Sequence, residues 1–330
     1  MRPFTYVRPP DVDASLRAIA ERPGARFLGG GTNLVDLMRQ DVERPAALID
    51  IFGLPLDTVE ELPGGGLRIG ALVRNSRLAV HPLVRERWPV LSQALLAGAS
   101  GQVRNMATVG GNLLQRTRCL YFTDHTAGCN KREPGTGCDA IGGFHRNAAV
   151  LGAGEHCVAT HPSDMAVALV ALDAVADVRS VRGSRRIPLA ELHRLPGETP
   201  QRDTVLAADE LITAVELPPS AVAAASAYRK VRDRASFAFA LVSVAAAIEV
   251  TDGVVSGVRI ALGGVAPKPW RAREAERVLT GAPAGEESFR AAAAAELAPA
   301  VGLPQNTFKI ELARRAVVAA LRGLTEGSTA

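Results

Sequence analysis

The sequence predicts an α+β fold, in which runs of strands are followed by runs of helices. Short strand-like runs, glycine turns and short helices alternate along the chain up to Leu217. Three longer strand-like runs follow, and three helical runs close the chain. The hydrophobic content of 47% and the charged content of 22% are typical of globular domains that bury a core.

The N-terminal elements are short and are separated by glycine and proline. Apolar spacing predicts a helix over residues 12–21, with Asp11 or Asp13 as its cap and Pro23 as its stop. Hydrophobic periodicity predicts the next elements in order: a strand at 26–28, a helix at 33–39, a strand at 47–51, a strand at 67–71 after the 64–66 glycine turn, and a helix from 90 to 99.

Two prolines, Pro218 and Pro219, followed by an alanine-rich run to Ala225, predict a domain junction in the second half of the chain. Before it, Ser163 caps a helix that runs through Ala171. Strands are predicted at 176–181, 211–217, 227–231, 240–250 and 254–262, and helices at 271–279, 286–297 and 307–321. We therefore expect two domains, over residues 1–219 and 224–326.

Charge and hydropathy exclude several classes of partner. The net charge is only +4, and the Arg and Lys residues form no basic stripe with interleaved aromatics, so nucleic acid is not an expected partner. No run of 18 apolar residues occurs, so no membrane insertion is expected. The first residues lack the apolar core of a signal peptide. We expect folding in the cytoplasm, and export to the periplasm would then need a complex with a signal-bearing partner.

Two glycine motifs are candidates for binding one extended ligand. The first, residues 28–34, carries Gly29, Gly30 and Gly31 between a strand and a helix, where backbone N–H groups can approach a pyrophosphate. The second, residues 108–112, reads as a loop and repeats the pattern with two glycines between Thr108 and Asn112. Neither spacing matches the dinucleotide fingerprint or the Walker loop, so two unrelated turns remain the alternative.

Asp164 follows Ser163 at the start of a predicted helix. An acidic residue in the first turn is favoured by the helix dipole, so capping alone explains it. A carboxylate at this place could also accept hydrogen bonds from a ribose or ribityl hydroxyl.

The four cysteines of the chain all fall within 39 residues, with spacings of 9, 8 and 18 residues between them: Cys119, Cys129, Cys138 and Cys157. Zinc ribbons use close cysteine pairs, which are absent here, so the wide spacing fits a cubane iron–sulfur cluster better. Free thiols or two disulfides are alternatives, and nearby histidines could ligate zinc: His125, His145, His156 and His161. We call residues 115–160 the cysteine loop.

Motifs for nucleophilic or metalloprotease catalysis are missing from the sequence, including G-x-S-x-G and H-E-x-x-H. Reaction chemistry is therefore expected to come from a cofactor.

Taken together, the motifs at 29–34, 108–112 and 163–165 resemble the FAD-binding middle subunit of molybdenum hydroxylases in the xanthine dehydrogenase family. The resemblance covers the whole chain and implies a two-lobed PCMH-type (vanillyl-alcohol-oxidase-like) FAD-binding domain. It also implies a C-terminal α+β domain, with a small antiparallel sheet and helices, similar to that of carbon monoxide dehydrogenase flavoproteins. The cysteine loop narrows the resemblance to bacterial periplasmic aldehyde oxidoreductases, whose FAD subunit also carries a [4Fe–4S] cluster.

The resemblance implies a role for each matching residue. The FAD pyrophosphate would be wrapped by Arg26, Phe27, Leu28, Gly29, Gly30, Gly31, Thr32, Asn33 and Leu34. The phosphate, ribityl or ribose groups would be bound by Thr108, Gly110, Gly111, Asn112 and Asp164. Ile212 would contact the isoalloxazine and Lys230 would place a cation near the flavin ring, although an inward strand position and a solvated strand charge explain them equally well. Cys119, Cys129, Cys138 and Cys157 would hold the cluster.

The implied function is electron transfer within a heterotrimer. A large partner would hold the molybdenum cofactor and oxidise an aldehyde to a carboxylic acid, and a small partner with two [2Fe–2S] clusters would pass electrons to FAD. An external electron acceptor other than NAD is expected, because no residues here can be assigned to a nicotinamide pocket. The alternatives are a standalone flavin oxidase and a zinc-stabilised binding module.

Overall fold

Strands in the computed structural model, which describes residues 1–326, form three sheets. In chain order the strands are β1 (Thr5–Val7), β2 (Arg26–Leu28), β3 (Ala47–Asp50), β4 (Val59–Glu61), β5 (Leu67–Gly70), β6 (Val175–Ser180), β7 (Gly183–Pro188), β8 (Leu211–Leu217), β9 (Ser226–Val231), β10 (Val242–Thr251), β11 (Val254–Gly263) and β12 (Trp270–Arg271).

The helices are mostly short until the C-terminal end of the chain. They are α1 (Val12–Ala20), α2 (Leu34–Arg39), α3 (Asn75–Ala79), α4 (Pro82–Arg87), α5 (Pro89–Ala97), α6 (Gly101–Met106), α7 (Val109–Leu113), α8 (Leu120–Thr123), α9 (Asp139–Gly142), α10 (Asp164–Ala171), α11 (Leu189–Leu192), α12 (Arg273–Leu279), α13 (Glu286–Glu296) and α14 (Phe308–Glu326), with a 3-10 turn at Ala221–Ala223. Within residues 1–326, none of them combines the length and apolarity that crossing a membrane requires.

The N-terminal part has two lobes, each built on its own sheet. The first is a parallel sheet in the order β1-β3-β2, in which Ala47 pairs with Thr5 and Leu48 pairs with Arg26. All four residues of its central strand β3 are buried, as expected for a parallel strand covered on both faces. The second lobe is an antiparallel sheet in the order β4-β5-β8-β6-β7.

The C-terminal part is an antiparallel sheet in the order β12-β11-β10-β9, with α12, α13 and α14 packed beside it. Helix α10 connects this sheet with the second lobe, because it contacts α5 as well as β10 and β11. All eight residues of α10 are buried, which suits a helix that is apolar on every face. The first residue of α10, Asp164, is thereby held at the meeting point of the second lobe and the C-terminal sheet.

The predicted α+β class is confirmed, and the predicted helices and strands correspond closely to the observed ones. Of the two candidate caps for α1, the structure selects Asp11, whose carboxylate accepts a hydrogen bond from Ala14 N at 2.7 Å. Ser163 Oγ caps α10 by accepting from Ala166 N at 2.9 Å. The prediction of a loop at 108–112 is wrong, because Thr108 caps the short helix α7 there. The edge strand β7 was not predicted, since its arginine-rich sequence has no apolar alternation.

Candidate functional site

A cavity of about 770 Å³ lies where the two N-terminal lobes, the cysteine loop and the C-terminal sheet meet. That volume is in the range of small-molecule and cofactor sites. Its lining brings together residues from widely separated parts of the chain. Those that the sequence analysis proposed for FAD are Thr32, Asn33, Gly111, Asn112, Asp164 and Lys230.

The two glycine motifs pack directly against one another at this cavity. A Cβ on Gly30 would come within 1.7 Å of the backbone oxygen of Met106, and a Cβ on Gly29 would lie 3.1 Å from Thr108 Oγ1. Gly31 has a φ of +71°, a backbone conformation that residues other than glycine rarely adopt. The first motif therefore needs glycine for close approach and for backbone conformation, and a single extended ligand can reach both motifs.

The second motif is a capped helical turn instead of the open loop that its glycines suggested. Thr108 is buried, and its hydroxyl accepts a hydrogen bond from Gly111 N at 3.3 Å. Gly110 packs against the second lobe, where an added Cβ would lie 3.2 Å from Ala71 Cβ. Thr108 and Gly110 thus shape the wall from behind, while Gly111 and Asn112 line the cavity.

Asp164 and Lys230 form a buried ion pair in the cavity wall. Their side chains are 8% and 4% exposed, and Lys230 Nζ lies 2.8 Å from Asp164 Oδ2. Tyr228 donates its hydroxyl hydrogen to Asp164 Oδ1 at 2.6 Å, and burial followed by the Asp164 charge raises the pKa of Tyr228 well above its usual value. Lys230 also donates to the carbonyl of Ala97 at 3.1 Å. The sequence proposed separate ligand contacts for Asp164 and Lys230, and the structure makes them partners.

Other proposed FAD-binding residues do not line the cavity in the described part of the chain: Arg26, Phe27, Leu28, Gly29, Gly30, Gly31, Leu34, Thr108, Gly110 and Ile212. Strand β2 (Arg26–Leu28) leads into the first motif and lies outside the cavity lining. Ile212 is 2% exposed and packs in the core of the second lobe. A contact between Ile212 and a flavin ring stays a prediction.

Two buried donors show that the cavity suits a polar, anionic cofactor. Within residues 1–326, Asn33 Nδ2 and Arg118 Nε have no hydrogen-bond partner, and both residues line the cavity. The hydrogen bond that Asn33 Oδ1 accepts from Arg116 N at 2.9 Å fixes the orientation of the Asn33 side chain. Buried donors without partners are costly, so phosphate or hydroxyl oxygens from a ligand would stabilise them. These residues fit FAD, with Asn33 and Arg118 as donors and with Gly111 and Asn112 of the second motif at the cavity surface.

The sequence analysis missed several residues of this cavity. Tyr228 does not line the cavity but donates to Asp164 in its wall, and it could have been found because it lies two residues before Lys230 on β9 and so shares its face. Three phenylalanines that line the cavity are about half exposed, namely Phe144, Phe237 and Phe239. Arg118 stacks over Phe239 at 5.2 Å, and no spacing rule could have joined two residues so far apart in the chain.

The four cysteines surround a second, small cavity. Cys119, Cys129, Cys138 and Cys157 all line it, and all four are free thiols. Cys119 also lines the large cavity, so this residue lies in the wall between the two. Within residues 1–326, no group of three or more His, Cys, Asp or Glu residues is placed to hold a single metal ion. Four thiols line this one small cavity, which is the number of thiolate ligands that a cubane cluster takes.

Two of the thiols, those of Cys119 and Cys157, lie in surroundings that disfavour their charged form. Burial raises the pKa of Cys157 to about 11, and the nearby charge of Lys131 opposes this shift. Burial also raises the pKa of Cys119. Thiolates here would need positive charge from a metal centre or from the protein.

The cysteine loop is held mainly by polar contacts. Arg132 donates to the carbonyls of Tyr121 and Asp124 at 2.6 and 2.7 Å, and Asn130 Oδ1 accepts from Gly135 N and Gly137 N at 3.0 and 2.9 Å. Two small apolar clusters, each of three buried residues, lie at the loop, and Val150 and Leu151 near its end join the C-terminal core.

Two family models match the chain. Residues 2–220 match the FAD binding domain in molybdopterin dehydrogenase, and residues 226–323 match the CO dehydrogenase flavoprotein C-terminal domain. The first of these covers well over half of the chain.

Known proteins similar to this chain include the aldehyde oxidoreductase FAD-binding subunit PaoB of Escherichia coli (strain K12), which is 53% identical over 97% of this chain and 98% of that protein. The nicotine 6-hydroxylase medium subunit of Paenarthrobacter nicotinovorans is 27% identical over 88% of this chain and 84% of that protein. A solved structure of carbon monoxide dehydrogenase from Hydrogenophaga pseudoflava, which lacks the Mo-pyranopterin moiety, matches with a TM-score of 0.76 and 25% identity over 99% of both chains. The resemblance drawn from the sequence motifs is thereby confirmed, and the chain belongs to the family of FAD-binding subunits of molybdopterin dehydrogenases.

Proposed function

We propose that this chain is the FAD- and [4Fe–4S]-containing electron-transfer subunit of a heterotrimeric molybdenum aldehyde oxidoreductase. A large partner with the molybdenum cofactor would oxidise an aldehyde to a carboxylic acid. A small partner with two [2Fe–2S] clusters would deliver the electrons, and an external acceptor other than NAD would receive them. FAD, when bound, supplies a centre that exchanges one or two electrons, which is the chemistry required between one-electron clusters and such an acceptor.

One observation carries this proposal: four free thiols line a cavity that shares the wall residue Cys119 with the large cavity, in which we place the flavin. The 53% identity with a relative described as an aldehyde oxidoreductase FAD-binding subunit supports the choice of aldehyde as the substrate class. The free thiols also suit folding in a reducing compartment, and we propose that any export follows assembly with a signal-bearing partner.

The chain's own residues would bind and orient the cofactors. The packing of the two glycine motifs would bring Thr32, Gly111 and Asn112 to the cavity surface, and Asn33 and Arg118 would offer donors to the pyrophosphate oxygens. The Asp164–Lys230 pair places a buried cation in the wall of the cavity. A cation near a flavin favours the anionic reduced form. The four cysteines would hold the cluster, whose potential depends on the charges and hydrogen bonds around it.

The replacement Cys119→Ser tests the ligand assignment. We expect the purified complex to lose the iron of the [4Fe–4S] cluster and to keep its FAD, because the cysteines and the glycine motifs line different cavities. Iron, zinc, acid-labile sulfide and flavin absorbance per complex are measured on the parent and the variant. Glu133→Gln, at an exposed position of the same loop, is the matched control and should change none of them.

Iron content in Cys119→Ser equal to that of the parent would contradict the assignment. Zinc in place of iron in the parent's cysteine loop would favour a zinc-stabilised module. Purification without two partner chains, with oxidase activity intact, would favour a standalone flavin oxidase.

A further inference from the structure

Four charged side chains of alternating sign form a continuous network between the two cavities. Arg116 lies at its centre, with Nη1 at 2.6 Å from Glu43 Oε1 and Nε at 2.9 Å from Asp203 Oδ2. Asp203 in turn pairs with Lys131. Each of the four side chains is less than a third exposed, so solvent screens their charges less than it screens surface pairs.

This network contacts both cavities. On the side of the large cavity, the backbone N of the central Arg116 donates to Asn33 Oδ1 at 2.9 Å, and Asn33 lines that cavity. At one end of the network, Lys131 lines the small cavity together with the four cysteines. The guanidinium of Arg116 also lies 4.7 Å from the centre of the Phe122 ring, which packs against Cys129.

Lys131 is fixed in place by its partners. Its side chain is only 9% exposed, and Nζ donates to the carbonyl of Pro200 at 2.8 Å as well as to Asp203. A lysine this buried is rare unless its charge is needed or paired. Here the pairing carboxylate, Asp203, comes from a segment 72 residues away, so the fold brings it to a lysine that lines the cysteine cavity.

We infer that Lys131 compensates the negative charge of the cysteine thiolates and raises the reduction potential of the cluster, and that the negative charge of Asp203, paired with Lys131, partly offsets this effect. This inference rests on the proposed function, since it requires a cluster held by the four cysteines. Reduction adds one electron to the cluster. A fixed positive charge beside it stabilises the more negative, reduced state, and a fixed negative charge does the opposite.

The two charges therefore predict shifts of opposite sign. Lys131→Met removes the positive charge and shifts the cluster potential to more negative values. Asp203→Asn removes the negative charge and shifts it to more positive values. Lys131→Arg keeps the charge and leaves the potential close to that of the parent. Lys268→Met, which removes a half-buried lysine that donates to the carbonyl of Ala190 away from the cysteines, is the matched control.

The experiment is a redox titration of the purified complex, followed by electron paramagnetic resonance, with flavin content measured on each sample. Opposite shifts for Lys131→Met and Asp203→Asn, with unchanged potentials for Lys131→Arg and Lys268→Met and full flavin content, support the inference. Equal potentials in the parent and Lys131→Met, or shifts of the same sign in Lys131→Met and Asp203→Asn, overturn it and leave the proposed function standing.

Two further outcomes are also decisive. If Lys131→Met carries no cluster, Lys131→Arg decides: a retained cluster supports the need for charge, and a lost cluster overturns the inference. A parent complex without a [4Fe–4S] signal overturns both the inference and the cluster in the proposed function.

Discussion

The large cavity and the cysteine loop adjoin, yet they are stabilised in different ways. The cavity is walled by α7, α10 and β9, which are anchored in the largest apolar core of the protein. The cysteine loop has two helices of four residues each and two apolar clusters of three buried residues each, and within residues 1–326 it joins a larger core only through Val150 and Leu151 near its end. Because apolar burial dominates folding free energy, the cavity wall is held mainly by the core, whereas the part of the loop that carries Cys119, Cys129 and Cys138 depends more on polar contacts.

Of the variants considered, Gly30→Ala should give the largest difference between the two regions, with a loss of flavin and no loss of iron. The new Cβ would meet the backbone oxygen of Met106 at 1.7 Å, a contact that no side-chain rotation can relieve. We expect a loss of unfolding free energy on the order of 4 kcal/mol and a much lower flavin content, with iron per folded chain retained. Thermal unfolding and flavin absorbance measure this.

Gly101→Ala is the matched control, because its φ is not positive and an added Cβ there would meet no atom within 4 Å. Flavin content in Gly30→Ala as high as in Gly101→Ala would show that the packing of the two glycine motifs is not required for binding.

Asp164→Asn should lower the unfolding free energy and the retention of flavin by a smaller amount than Gly30→Ala. It leaves the Lys230 ammonium 4% exposed and without its carboxylate, so we expect a loss of about 3 kcal/mol of unfolding free energy and weaker flavin retention. Chemical denaturation and flavin release on dilution measure the two effects. Glu311→Gln, which breaks an exposed pair with Arg315 on α14, should change neither. Equal stability of Asp164→Asn and the parent would contradict the view that this pair supports the cavity wall.

Local sequence patterns predicted far more of the structure around the large cavity than of the structure of the cysteine loop. Helix α10, its Ser163 cap and the glycine motifs follow from periodicity and capping, which are properties of neighbouring residues. The partnership of Asp164 with Lys230 does not, because the two residues are 66 positions apart. The charge network of Lys131 with Asp203 also depends on a loop-to-loop contact that periodicity cannot reveal. The glycines at 110 and 111 suggested a loop, since glycine disfavours helix, but close packing against Ala71 prevailed.

The smallest expected effect is on the pH dependence of the unfolding free energy, which two histidines beside the large cavity should carry and the cysteine loop should not. His161 and His193 are in edge-to-face contact beside the cavity, with ring centres 4.3 Å apart. Burial lowers the pKa of both in the folded protein, well below 6.5 for His161. As pH falls below about 6.5, the unfolded chain binds protons first, so stability falls by up to about 1.4 kcal/mol per pH unit for each histidine.

His193→Gln should make the pH dependence of unfolding between pH 6.5 and 5 less steep. His125→Gln, at an exposed position of the cysteine loop, should leave the slope unchanged. Identical slopes in His193→Gln and the parent would show that this histidine does not carry the effect.

The central claim is that one chain holds a flavin in a preformed cavity and an iron–sulfur cluster in the loop beside it. Absorbance spectra with iron and acid-labile sulfide analysis of this chain, prepared without oxygen and free of its partner subunits, test it most directly. The account predicts one flavin with about four iron and four sulfide per chain. Well-folded protein with flavin but neither iron nor sulfide would contradict the role given to the cysteines, and protein that also lacks flavin would contradict the account as a whole.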